Sequence, residues 1–194
     1  MKMAEEETKK QLVLKKKKKR WIPIFVNKMF NEVQIGDSYV AEPGLLMGRY
    51  LEINLMELTN DIKKQNIKVM FKINNVAENR ATADLVGYEL LGSVIRRVVK
   101  RAKSKIDDSF IVETKDNIKV IVKSIILTKT KTAHSILTKL RFKSKESMIT
   151  NFKKWTYDEA FAEILSHNLQ KNLRDSLKKI YPVSVVEVRY FRKL

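Results

Sequence analysis

The acids that come nearest to a catalytic arrangement are Asp107 and Asp108, side by side, with Glu113 further along the same stretch in an extended run. Three carboxylates brought to one place could hold a divalent metal and activate water against a phosphodiester. Adjacent aspartates more often end a helix and sit in a solvated turn, and the two histidines add no support. His134 and His167 lie far apart in helical contexts, with no partner at ligand spacing. His134 is suited to touching a phosphate, and His167 reads as a helix-surface residue. With no cysteine in the chain, thiolate catalysis, disulfides and Cys-based zinc sites are excluded. Neither G-x-G-x-x-G nor a P-loop occurs among the five glycines, and no serine sits in a G-x-S-x-G elbow. The reading is therefore of a chain with no catalytic residue, no metal site, no cofactor and no small-molecule substrate.

The residues that stand out are cations. Forty Lys and Arg against 22 Asp and Glu leave a formal charge of +18 and a pI near 9.9. Such a field repels itself in the folded state unless a polyanion neutralises it. Nucleic acid is the commonest partner of this kind, and an anionic membrane surface is the alternative. The membrane reading is weakened because no Trp, Phe or Leu face opposes the lysines, and nowhere do about 18 uncharged apolar residues run together. The N-terminus has no apolar stretch of signal-peptide length, so a cytoplasmic protein without membrane contact is expected.

The cations fall into three clusters. Lys15, Lys16, Lys17, Lys18, Lys19 and Arg20 stand directly before Trp21. Residues 1–20 are charged and without period, the composition of a flexible arm that orders only when phosphates surround it, with Trp21 expected to anchor its base in the core. The second cluster lies in "LLGSVIRRVVKRAKSK", which predicts a helix: Leu91, Val94, Ile95, Val98, Val99 and Ala102 form an apolar stripe. Arg96, Arg97, Lys100, Arg101 and Lys103 fall away from that stripe. Residues 90–106 contain neither Asp nor Glu beyond Glu89 at their edge, so these cations have no salt-bridge partner along their own helix. The third tract holds Lys129, Lys131, Lys139, Arg141, Lys143, Lys145, Lys153 and Lys154 against Glu146, interleaved with Ile136, Leu137, Leu140, Met148, Ile149 and Phe152. Trp155 and Tyr157 follow; such rings can stack on unpaired bases, although core packing is their commoner role.

These clusters need elements to hold them. "WIPIFV", "SYVAEP", "GRYLEINL", "IKVMFKINNV" and "RATADLVGYEL" read as strands separated by Gly, Pro, Asn and Asp joints. In the fourth, Val69, Phe71 and Ile73 alternate with Lys68, Met70 and Lys72, which predicts one buried face. After the basic helix come "SFIVETKD" and "IKVIVKSIILT", joined through Asp116 and Asn117 as a hairpin. From about residue 132 to 180 the chain reads helical. In "TYDE", Thr156 and Glu159 form a capping box, and Phe161, Ile164, Leu165, Leu169, Leu173 and Leu177 continue as one stripe to Ile180. Pro182 ends it, and "VSVVEVRYF" is a closing strand. The fold class is α+β: a β-barrel-like or sandwich core of about seven strands with an inserted basic helix, C-terminal helices and a closing strand. Residues 1–20 form the arm and 21–194 one domain.

The order of these segments resembles a family of archaeal and eukaryotic small-subunit ribosomal proteins, S-three-A-e, from about Lys15 to the C-terminus. "KKKKKRW" with "MFNEVQIG" is similar to its opening, and "GLLMGRYLEINLMEL" before Asp61 to one of its strands. "TKDNIKV" stands where it has a hairpin, and "IYPVSVVEVRYFRKL" resembles its close. Asn117 replaces the usual hairpin glycine, an exchange that positive φ tolerates. The resemblance implies a structural constituent of the small subunit. It would bind rRNA on the platform near the mRNA exit, beside neighbouring ribosomal proteins and with mRNA as a further partner. The short close after "VRYFRKL" favours an archaeal source. A free RNA-binding assembly or translation factor, and a nuclease centred on Asp107, Asp108 and Glu113, are the competing readings.

Overall fold

The computed structural model describes residues 18–26, 30, 32–77 and 80–194. Lys15, Lys16 and Lys17, with most of the expected arm, lie outside the described residues. The chain divides into two compact units: residues up to Arg49 with Ile73–Asp84, and Tyr50–Lys72 with Leu85–Leu194.

In the first unit, β1 (Arg20–Val26) pairs antiparallel with β2 (Gln34–Val40). Its distal half runs parallel to the start of β5 (Ala81–Leu90), Ile24–Val26 against Ala81–Ala83. Ile22, Ile24 and Val26 alternate into the core and are buried, the β-branched side of a half-buried strand. The same alternation corrects the expectation for Trp21. Its neighbour Ile22 takes the core position, while Trp21 points outward, 67% exposed, against Tyr39 on β2.

The second unit begins with β3 (Tyr50–Asn54) and the short α1 (Leu55–Thr59), capped by Asn54 Oδ1, which accepts from the Met56 amide at 3.0 Å. β3 pairs antiparallel with β4 (Ile67–Val76), which buries Ile67, Val69, Phe71 and Ile73 as its period requires. Met70 is buried too, so that strand is covered on both faces at its middle. α2 (Gly92–Val98) precedes the long hairpin of β6 (Lys105–Glu113) and β7 (Lys119–Thr128). Then follow α3 (His134–Phe152), α4 (Tyr157–Leu165), α5 (Asn168–Lys178) and β8 (Val183–Lys193). Ladders join the eight strands in the order β2-β1-β5-β8-β7-β6, with β4 beside β5 and β3 beside β4. The architecture is α+β with a closing C-terminal strand, as the sequence implies.

Several local expectations hold for the stated reasons. Thr156 Oγ1 accepts from the Glu159 amide at 3.3 Å and Glu159 Oε2 from the Thr156 amide at 2.9 Å, the reciprocal capping box. Asn117 takes φ 59° in the hairpin, and its amide donates to the Thr114 carbonyl at 3.0 Å.

Three further expectations are corrected. The basic helix is seven residues long rather than spanning 90–105. Val99 is extended and the chain turns before Lys105, because Lys105–Asp108 lie in the ladder opposite Ser124–Leu127, which replaces helical hydrogen bonds with sheet ones. Of the proposed stripe, Val94, Ile95, Val98 and Val99 are half-buried and Ala102 is exposed. Asp107 and Asp108 accordingly sit in a strand and not a turn. The third correction is a break in the C-terminal stripe: His167 adopts φ 58°, a conformation His tolerates better than most, and splits it into α4 and α5. Leu169, Leu173 and Leu177 remain buried, whereas Ile180 is exposed.

β8, last in sequence, lies between β5 and β7, with Phe191 opposite both Tyr88 and Val122. Gly87 is required by this contact, since a Cβ there would lie 2.5 Å from the Phe191 carbonyl oxygen and 3.1 Å from the Arg192 Cα. Gly87→Ala therefore forces two central strands apart. An overpacking cost of about 1–3 kcal/mol is expected, read as a lowered thermal melting temperature.

Candidate nucleic-acid interface

α2 and the turn after it present the second cationic cluster. Arg96, Arg97, Lys100 and Arg101 are exposed, and none forms an ion pair among the described residues. Lys103 is turned the other way: it is half-buried, and its Nζ donates to Ser184 Oγ at 2.8 Å. A basic patch without acid compensation is what a polyanion contact requires.

The third tract is divided by the helix that carries it. Leu140, Ser144, Met148 and Phe152 recur every fourth residue and form the buried side of α3. Arg141 Nε pairs with Asp108 Oδ1 at 2.8 Å and Lys143 Nζ with Glu146 Oε2 at 3.0 Å. Lys129, Lys131, Lys139 and Lys145 are exposed without an ion pair among the described residues. Phe142, 68% exposed, stands between Lys139 and Lys143 over an open depression of about 670 Å³. Of the first cluster, Lys18 and Lys19 are exposed and Arg20 opens β1 opposite Val40.

The structure adds a surface that the sequence pattern alone did not single out. On the outer face of the second unit's sheet, Lys123 Nζ lies 4.7 Å from the Tyr190 ring centre, and Arg192 Nη1 donates to the Tyr190 hydroxyl at 3.4 Å. The Arg192 guanidinium is 5.1 Å from the ring of Tyr50, a 53% exposed residue that also has Lys72 Nζ at 5.7 Å. Cations over aromatic faces at these distances are attracted by the ring quadrupole. This face meets α2 at a cleft of about 290 Å³ lined by Glu89, Gly92, Ile95, Lys123, Arg189 and Tyr190. The available signal was the alternation of "RYFRK", which puts Tyr190 and Arg192 on one face and Phe191 on the other.

The acids that suggested hydrolysis have other roles. Successive strand residues point to opposite faces, so Asp107 and Asp108 cannot converge on one ion. Asp107 Oδ2 takes Arg189 Nη1 at 3.0 Å and Lys105 Nζ at 3.4 Å, while Asp108 takes Arg141. Glu113 is exposed and faces Lys119 Nζ at 3.8 Å. Tyr157 is core: it is buried, and its hydroxyl donates to the Val86 carbonyl at 2.8 Å. Trp155 packs edge-on to Phe152 with centroids 6.2 Å apart. His134 is exposed at the first turn of α3. Among the described residues no helix is long and apolar enough to cross a membrane.

A family model described as the Ribosomal S3Ae family matches residues 7–194. The chain belongs to that family. Curated relatives named small ribosomal subunit protein eS1 include those of Nanoarchaeum equitans, 31% identical over 90% of this chain and 88% of the relative, and Methanothermobacter thermautotrophicus, 31% identical over 89% and 88%. That of Methanoculleus marisnigri is 30% identical over 89% of this chain and 87% of the relative. These relatives are archaeal, and a ribosomal family is one of structural components, in keeping with the absence of catalytic motifs from the sequence.

His167 is a histidine whose titration folding shifts. With Lys171, Arg174, Ser184 and Glu187 it lines a cleft of about 450 Å³ between α5 and β8. Its Nδ1 lies 3.6 Å from Glu187 Oε2. The nearby carboxylate favours the protonated imidazole and raises its pKa above the ordinary histidine value, against partial burial and the nearby Lys171 and Lys64. A pKa raised on folding gives stability that is full below the unfolded value of about 6.5 and lost as pH climbs through the folded value. The melting temperature of the wild type should therefore exceed that of His167→Asn most at about pH 5.5, with the margin shrinking by about pH 8. A pH-independent margin would assign His167 a purely conformational role.

Proposed function

We propose that this chain is a structural constituent of the small ribosomal subunit, acting in the cytoplasm within the ribosome in support of translation. It binds rRNA on the platform near the mRNA exit, with ribosomal proteins and exiting mRNA as further neighbours. The observation that carries this reading is the family match along residues 7–194. The uncompensated cations of α2 and the loop before α3, together with the Lys123–Tyr190–Arg192–Tyr50 face, support rRNA as the partner. Platform and mRNA exit rest on the segment resemblance.

The mechanism is electrostatic and architectural. Folded rRNA loses counterions where exposed Lys and Arg replace them, so association weakens steeply with salt. A native lysate fractionated on sucrose gradients provides the test. Stoichiometric sedimentation with small subunits at moderate salt is expected; a chain that runs free would point instead to an independent RNA-binding factor. Replacing Arg96, Arg97, Lys100 and Arg101 together with Ala should flatten the log–log salt dependence of rRNA binding by about 0.7–0.9 for each phosphate that is no longer neutralised. An unchanged slope would mean this face is only solvated.

A further inference from the structure

The outer face of the first unit carries aromatic side chains that no packing role requires to be open. Trp21 and Tyr39 are directly opposed across β1 and β2. Their ring centres are 5.0 Å apart with planes at 37°, and they are 67% and 51% exposed. A cross-strand aromatic pair stabilises its own hairpin, but that role does not need two rings turned to solvent. Their neighbours Ile22 and Val40, on the other face, already supply the burial.

What surrounds the rings is cationic. Lys19 Nζ lies 5.8 Å from the Tyr39 ring centre, and Lys18 beside it is exposed. Further along β1, the Arg80 guanidinium covers the Phe25 ring at 4.2 Å while pairing with Glu32 Oε2 at 2.8 Å. Asp37, two residues from Tyr39 on β2, accepts from Gln34 Nε2 at 2.7 Å. Open aromatic faces on a sheet, bordered by lysines, are the two parts of a single-strand site: bases stack on the rings and the backbone follows the charge.

We infer that Trp21 and Tyr39 form a stacking platform for an unpaired RNA base, with the adjoining backbone along Lys18 and Lys19. This rests on the rRNA-binding reading above and adds a site of different chemistry to it. Stacking is indifferent to charge, so removing it lowers affinity without changing the number of counterions released.

The test uses the full chain with two probes, a single-stranded adenosine octanucleotide and a fully paired RNA duplex. In a Trp155→Phe background Trp21 is the only indole, because the chain has two tryptophans. Saturable quenching of its emission by the single strand is expected. Trp21→Leu, which keeps apolar bulk, should weaken single-strand binding about tenfold and leave duplex binding and the salt slope unchanged. Trp21→Phe, which keeps a ring, should retain most of the affinity, and Tyr39→Leu should behave like Trp21→Leu. Unquenched emission, equal weakening on both RNAs, or an affinity indifferent to Trp21→Leu would overturn the platform. So would Trp21→Leu releasing the chain from small subunits while single-strand binding stays intact, which would make the face a protein contact. If the wild type binds neither RNA, the rRNA reading itself falls. If it binds both and only the α2 variant alters the slope while Trp21→Leu changes nothing, the platform alone falls.

Discussion

Phe191 is held between two rings, with Phe152 at 5.6 Å and Tyr157 at 5.3 Å, both nearly parallel to it. This stack joins the end of α3, the start of α4 and the last strand of the chain. Each buried ring removes about 150–250 Å² from water, worth roughly 4–6 kcal/mol before the entropy of ordering is subtracted. Tyr157 adds a directional contact, its hydroxyl reaching the Val86 carbonyl on β5. The hairpin turn is drawn to the same point: Asp116 Oδ2 accepts from the Tyr157 amide, and the Lys115 amide donates to the Trp155 carbonyl, each at 3.0 Å. Because β8 lies between β5 and β7, the second unit's sheet is incomplete until the C-terminal residues arrive.

The same strand supplies the surface. Its period of two sends Phe191 inward to the stack and Tyr190 and Arg192 outward to Lys123 and Tyr50. Core packing thereby sets the register of the aromatic and cationic face. A slip of one residue would bury Arg192 and expose Phe191. Gly87 permits this register, because the strand opposite Arg192 has no room for a side chain.

A chain with a formal charge of +18 must also limit its own repulsion. Its acids serve that purpose. Asp107 and Asp108 take Arg189, Lys105 and Arg141, while exposed pairs such as Lys143–Glu146 add little to stability. Cations on α2, in the loop before α3 and at Lys139 and Lys145 of α3 form no ion pair among the described residues and are turned to solvent.

What the sequence by itself determined was local and periodic. The alternation in "KVMFKI", the Thr156–Glu159 capping box, the Asp116–Asn117 hairpin and the Leu169–Leu173–Leu177 stripe each depend on residues a few positions apart, so a linear reading captures them. The cationic clusters were legible for the same reason, since charge needs no partner to be counted. Tertiary structure decided the rest. α2 ends at Val98 because Lys105–Asp108 find partners across a ladder, His167 breaks the last helix opposite Glu187, and Trp21 gives its expected place to Ile22. Lys103 and Arg141, equal to their neighbours as letters, are drawn to Ser184 and Asp108. Which cations stay turned to solvent, and which aromatics face outward, follows from long-range pairing, and that information is carried by no single stretch of the chain.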